Sequence, residues 1–330
     1  MRSKFEWRRK IVGLAPMESY TETCFRQIAR FFGAEVVFTE MIPAQGLYRR
    51  LKPIFLKTKF RKKERPIIGQ LVGGDGKVLA CAAQILEKEV KVDGIDLNFA
   101  CPVKKVLKQG MGGYWLADPK GMFALINIVR RKITLPLSIK IRAGFKKPTE
   151  ILNWVKSLND LGIQAVILHP RSVKQKFSGR ADWKIFNLVK QKLRAKLIAS
   201  GDIFSQLDLA RLFVETPVDG ALIARGALGN PWIFENLDVI KQNPREFLEK
   251  FNSSSWKKSE PGISERCQVI RQHFDLTKQT YGDKAWFVFR PHIFWYLKNF
   301  PHAKEWRIKF GSVKTTKKAD KLIGKLCALK

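Results

Sequence analysis

The chain has 330 residues, 45% of them apolar, so it can bury a large core, and its length suits a barrel of about 250 residues with something added. No apolar run approaches the roughly 20 residues of a membrane span, and no signal-like stretch separates the basic segment Met1 to Lys10 from Pro16; a soluble cytoplasmic protein without membrane attachment is expected. Lys and Arg total 62 against 29 Asp and Glu, a formal charge of +33 that attracts polyanions, although a lysine-rich proteome would raise the same figure without any function.

Short apolar, β-branched runs recur every 25 to 40 residues or so. In chain order they are KIVGLA (10–15), EVVFTE (35–40), IIGQLV (67–72), GIDLN (94–98), LSIKIR (137–142), AVILH (165–169), KLIAS (196–200) and GALIA (220–224). Most are continuous rather than alternating, as expected of parallel strands covered on both faces. Amphipathic spacing predicts helices at 21–32, 77–91, 118–132, 148–161, 182–192 and 205–215, with 232–240 closing the eighth unit. Residues 44–65 give no clear pattern, but residues 49–65 hold nine basic residues and one acid.

Eight strand–helix units predict an α/β fold, a (β/α)8 TIM barrel over residues 1–242, followed by a C-terminal helical domain over 243–330. A doubly wound sheet is the alternative, but Ala15-Pro16-Met17 after the first strand is no glycine-rich phosphate fingerprint. FNSSSWKKSEPG (251–262) looks like a linker, and helices are expected at 263–281, 286–300 and 304–329. Residues 241–330 carry 20 basic and 8 acidic residues, the charge of a surface that meets nucleic acid.

In such a barrel, function gathers at the C-terminal strand ends. The polar residues there are Glu18 after Pro16 and Met17, Glu40, Gln70, Asn98 to Cys101, Lys140 with Arg142, His169 with Arg171, Ser200-Gly201-Asp202 and Arg225-Gly226. The loops after strands seven and eight are the usual phosphate site, or else ordinary glycine turns. Lys140 needs an anionic partner, which a reduced flavin or a carboxylate such as Asp96 would supply. His169 either meets a cofactor or satisfies a carbonyl. Cys101, in a loop before Pro102, is a nucleophile, a proton donor or an inert thiol. Lys104, Lys105 and Lys108 would favour its thiolate and could also hold phosphates. The five cysteines form no CxxC pair and are odd in number, which argues against a metal site or a disulfide framework.

GIDLNFACPVKKVLKQGMGG (94–113) resembles the signature of the tRNA-dihydrouridine synthases, close to D-[IL]-N-x-G-C-P-x-x-K-V. APM at 15–17, Gln70, LSIKIR, HPR at 169–171, SGD at 200–202 and ARGALGNPWIF at 224–234 fall in family order, and RPHIFWYL (290–297) is similar to the closing helical domain of the bacterial B-type branch. The likeness covers about 10–300. It implies FMN as cofactor, NADPH or NADH as reductant and tRNA as substrate and partner. By residue it implies that Pro16, Met17 and Glu18 frame the flavin, that Gln70, Lys140 and His169 contact its ring or ribityl chain, and that Ser200, Gly201, Asp202, Ala224 and Arg225 hold its phosphate end. Cys101 becomes the general acid, delivering a proton to C5 of uracil after hydride reaches C6 from flavin N5. Asn98 and Arg171 would bind the uridine, and Lys104, Lys105, Arg142 and Arg290 join them in binding the tRNA. A monomer is expected.

The sequence departs from the family pattern at Ser19, Ala100 and Ala224, where glycine is usual, at Ser200 for asparagine, at Pro170 within His-Gly-Arg, and at Tyr114-Trp115 in a run of small residues. Two other functions fit parts of the pattern. One is an FMN barrel oxidoreductase acting on a free pyrimidine, against which the basic tail argues. The other is a non-catalytic RNA-binding barrel, against which the retained Cys101 and Lys140 argue.

Overall fold

The computed structural model describes residues 5–7, 10–252 and 261–328; most of the expected linker, and part of the basic N-terminus, lie outside them. The eight apolar runs form β1 (Ile11–Leu14), β2 (Val36–Phe38), β4 (Ile67–Val72), β5 (Gly94–Phe99), β6 (Leu137–Arg142), β7 (Ala165–His169), β8 (Lys196–Ala199) and β9 (Gly220–Ile223). The two-residue β3 (Ile42–Pro43) runs beside the end of β4. All pairings are parallel, β1 bonding to β9 on one side and β2 on the other, and β2 to β4, so the sheet closes into a barrel.

Successive residues of a strand point to opposite faces. Outward positions such as Ile95, Leu97, Ile139 and Leu168 join the core beneath the helices. Inward positions change character along each strand: Ile68, Ala165, Ile167, Ile198 and Leu222 pack in the barrel floor with Trp7 and Phe38. Further along the same inward rows come Gln70, Asn98, Lys140 and His169. The apolar floor excludes water, and the polar end becomes the mouth.

Around the barrel stand α1 (Thr23–Phe31), α2 (Ala44–Tyr48), α3 (Lys52–Lys57), α4 (Gly76–Ile85), α5 (Lys104–Lys108), α6 (Pro119–Arg130), α7 (Lys184–Lys190), α8 (Gln206–Glu215) and α9 (Leu237–Gln242). Pro119 opens α6 with Asp118 capping the Gly121 N–H, as the Asp-Pro pair predicts. The previously unreadable 44–65 holds α2, α3 and a 3-10 turn at Lys62–Glu64, and α4 runs into a π-turn at Leu86–Val90.

Three helical expectations are corrected. Residues 148–161 form two 3-10 turns, Glu150–Asn153 and Val155–Asp160, because Glu150 turns back to accept from the Phe145 and Lys147 N–H groups and Ile151 N–H bonds to Ala143 O. Residues 304–329 split into α13 (Ala303–Gly311) and α14 (Thr316–Cys327), where Thr315 caps a new start and Trp286 Nε1 donates to Val313 O. Similarly, 232–240 is a 3-10 turn at Pro231–Phe234 followed by α9, parted by Asn236 in the left-handed region at φ 59°.

The C-terminal region comprises α10 (Pro244–Asn252), α11 (Ile263–Tyr281), α12 (Ala285–Tyr296), α13 and α14. One tie to the barrel is a buried carboxylate. Glu22 caps α1, accepting from Cys24 N–H at 2.6 Å and Phe25 N–H at 2.8 Å, while His273 Nε2 of α11 lies 3.5 Å and His292 Nε2 of α12 lies 3.9 Å from its Oε1. His273 Nδ1 meets Tyr296 Oη at 3.1 Å. Burial pushes the Glu22 carboxyl up, but the hydrogen bond and charge of His273, with the charge of His292, outweigh it and bring it down to about 2. Among the described residues no helix is long and apolar enough to cross a membrane.

Candidate active site

Strand register brings the mouth residues together in pairs. Gln70 lies beside Asp96, Asp96 beside Ser138, Asn98 beside Lys140 and Arg142 beside His169. Cys101 follows β5 in a loop that small residues permit. A Cβ on Gly112, which sits at φ +60°, would approach the Cys101 Cβ to 3.0 Å, and one on Gly113 would meet the Cys101 carbonyl at 3.0 Å. The departure at Tyr114-Trp115 begins one residue later: Tyr114 is exposed, while Trp115 leans over Gly121 at the start of α6.

The Cys101 thiol is half-buried, and burial raises its pKa above the ordinary range, although a Val103 N–H and the charges of Arg142 and Lys140 act the other way. The thiol is therefore protonated at neutral pH. This corrects the expectation that Lys104, Lys105 and Lys108 favour a thiolate. Lys104 and Lys105 are instead exposed on α5, facing solvent.

Lys140 is half-buried on β6, and its pKa is lowered to about 8 by desolvation and by Arg142, with Asp96 and Cys101 partly opposing. The alternative pairing of Lys140 with Asp96 takes no hydrogen-bonded form: Asp96 Oδ2 accepts from Gln70 Nε2 at 2.8 Å and Oδ1 from Ser138 Oγ at 2.7 Å. His169 is held neutral, its pKa well below the usual imidazole range through burial and the charges of Lys140, Arg142, Arg171 and Arg225. Its Nδ1 accepts from Arg171 N–H at 3.3 Å, so Nε2 carries the proton. Gly201, at φ +119°, leaves the space beside that atom open; a Cβ there would come within 3.1 Å of it.

Asp202 forms a bidentate pair with Arg171, Oδ1 to Nη1 at 2.9 Å and Oδ2 to Nη2 at 2.6 Å, with Arg225 Nη2 at 3.7 Å. Ala181 N–H also donates to it. Arg171 donates further to the carbonyls of Ser178 and Gly179, and Arg142 to those of Ala100, Ser172 and Lys176. Both guanidinium groups brace the loops of the mouth. Ser200 is buried in the turn after β8, and Ala224 follows β9 just before Arg225. Glu18 is ion-paired with Lys57 of α3 and lies in electrostatic reach of Cys101, while Met17 N–H donates to Thr21 Oγ1. Pro16 precedes that turn, half-buried. Arg290 stands apart, exposed on α12 with Nη2 3.4 Å from Gly311 O.

Sequence reading missed several neighbours. Phe177 and Phe204 lie 4.7 and 5.4 Å from the Arg225 guanidinium, flanking it with aromatic faces. No local pattern marks either. Ser138 was visible as the polar residue two before Lys140 in LSIKIR, on the same inward row.

Fold and mouth together place the chain among the (β/α)8-barrel enzymes, with a mouth suited to an anionic ligand. A family model described as dihydrouridine synthase matches residues 13–329. The chain is 36% identical over 296 residues to a probable tRNA-dihydrouridine synthase of Aquifex aeolicus, covering 88% of each. It is 31% identical over 302 residues to tRNA-dihydrouridine synthase B of Pasteurella multocida, covering 91% of this chain and 87% of that protein. With a probable tRNA-dihydrouridine synthase of Mycobacterium tuberculosis it shares 32% over 329 residues, covering 96% and 82%. The chain belongs to the dihydrouridine synthase family.

Proposed function

We propose that this protein reduces uridine to 5,6-dihydrouridine in tRNA with FMN as cofactor and NADPH or NADH as reductant, acting in the cytoplasm as a monomer. The observation that carries the reading is a half-buried Cys101, its thiol pKa raised by burial, with half-buried Lys140 on the neighbouring strand at the mouth of a barrel of this family.

The donor set fits FMN. Lys140 and the Nε2–H of His169 are a half-buried cation and a neutral donor for a ring that gains negative charge, with Gln70 beside them. The turn at Ser200, Gly201 and Asp202, with Ala224 and Arg225, has a glycine without Cβ and an arginine for a phosphate. Pro16, Met17 and Glu18 close the near side. When bound, the flavin supplies hydride to C6 of the uracil ring.

The protein's own task is then to receive the base, exclude water and deliver a proton. Cys101 Sγ–H gives its proton to C5, and a general acid of this kind contributes roughly 10² to 10⁴-fold. A thiol kept protonated by burial suits that role better than a nucleophilic one. Asn98, Arg142 and Arg171 shape the walls that receive the extruded base. Lys104 and Lys105 on α5, and Arg290 with the lysines of the C-terminal helices, meet phosphates.

The test is direct. Purified protein with FMN, NADPH and unmodified tRNA is expected to bind the flavin and to form dihydrouridine, detected by mass spectrometry of nuclease digests. Protein that remains colourless after FMN addition, or reduces free uracil or orotate and not tRNA, refutes the proposal.

A further inference from the structure

Asp96 is fully buried, one inward position below Asn98 on β5, and has no place among the groups assigned to ligand. It begins a continuous chain of hydrogen bonds. Gln70 Nε2 donates to Asp96 Oδ2 at 2.8 Å, and Asn98 Nδ2 donates to Gln70 Oε1 at 2.9 Å. Asn98 Oδ1 then accepts from the backbone N–H of Ala100 and of Cys101, each at 3.0 Å. Ser138 Oγ donates to the other Asp96 oxygen at 2.7 Å.

A side-chain amide can exchange its oxygen and nitrogen by turning over, with almost no change of shape. Burial raises the Asp96 carboxyl to about 6, against the hydrogen bonds of Gln70 and Ser138, so at neutral pH it is ionised and cannot donate. Asp96 therefore admits only the NH2 of Gln70, which turns the Gln70 oxygen toward Asn98 and so the Asn98 oxygen toward the loop. Were the chain reversed, the Asn98 NH2 would face two N–H groups, and the cysteine loop would lose both bonds.

We propose that Asp96 is a positioning residue for Cys101: as an acceptor-only anchor it sets the direction of the Gln70–Asn98 chain and thereby fixes the loop that carries the thiol. The inference rests on the reading of Cys101 as proton donor.

Asp96→Leu and Asp96→Asn separate this role from a charge effect on Lys140. Asparagine removes the charge and can still offer its oxygen to Gln70 while its amide turns to Ser138 Oγ, whose hydroxyl then has Ile95 O at 3.4 Å to donate to, so the parent direction stays open although it is no longer enforced. With flavin bound, Asp96→Leu is expected to lower kcat for dihydrouridine formation about 100-fold with little change in KM for tRNA, because misplacement by about 1 Å costs that much. Asp96→Asn is expected to stay within about fivefold of the parent, since its polar partners persist. Alkylation of Cys101 by iodoacetamide, resolved from the other four cysteines by mass spectrometry, is expected to quicken in Asp96→Leu and not in Asp96→Asn. If Asp96→Leu does not fold, as judged by melting and circular dichroism, Gln70→Met breaks the chain one link further on and is expected to show the same faster alkylation. Unchanged alkylation in the broken chain, or an Asp96→Asn protein as slow as Asp96→Leu while its Cys101 alkylates at the parent rate, overturns the proposal. A parent protein that binds FMN and makes no dihydrouridine counts instead against the assigned reaction.

Discussion

Replacing Cys101 by alanine isolates the proton-delivery step. The side chain is small and half-buried, so its loss costs stability on the order of 1 kcal/mol or less. The rate should fall much further. A positioned acid is worth roughly 10² to 10⁴-fold, which is about 3 to 5 kcal/mol of barrel-held transition-state stabilisation. Serine should not rescue it, because a hydroxyl is a far weaker acid at the same place. Burial raises the thiol pKa, with the Val103 N–H, Arg142 and Lys140 opposing, so the parent enzyme carries the active protonated form at neutral pH. The rate should therefore be level through neutrality and fall only as alkaline pH removes the proton. The assay is single-turnover formation of dihydrouridine in unmodified tRNA by protein whose flavin content is matched by absorbance. Turnover of Cys101→Ala within about threefold of the parent, or a parent rate that rises with the thiolate fraction, would refute the acid role.

Three other outcomes follow from the same structure. Glu22→Gln should destabilise the protein near neutral pH, because the buried carboxyl is held below its usual range by His273 and an amide cannot reproduce that interaction. Because the folded pKa is the lower one, that contribution is complete above about pH 4.5 and disappears as pH falls through about 2, so denaturant midpoints of parent and variant should converge in acid; a constant gap contradicts the assignment. Charge reversal at Lys104 and Lys105 should weaken tRNA binding and reduce the salt slope by about one per lysine, without bleaching the flavin; unchanged affinity removes α5 from the RNA surface. Gly201→Val places a side chain at φ +119° against His169 Nε2 and should lower FMN affinity, read by flavin fluorescence, with tRNA binding retained; normal FMN affinity would move the cofactor away from that turn.

The sequence alone determined the barrel and its strand ends, because those signals are local. An apolar run such as AVILH needs no knowledge of its partners to be a buried strand, and the inward polar row of LSIKIR is written as Ser138, Lys140 and Arg142. The cysteine loop was legible as a motif. Amphipathic spacing failed at 148–161, where the Glu150 carboxylate competes successfully for backbone N–H groups.

Only the tertiary structure decided which charges meet. Arg171 and Asp202 were separate candidates until closure of the barrel joined them, and Glu22 finds His273 across 251 positions of chain. The state of the Cys101 thiol was decided there too: nearby lysines in sequence suggested a thiolate, but burial governs and α5 turns Lys104 and Lys105 to solvent. Hydrogen-bond direction and burial depend on groups brought together by packing, and no window of sequence contains them.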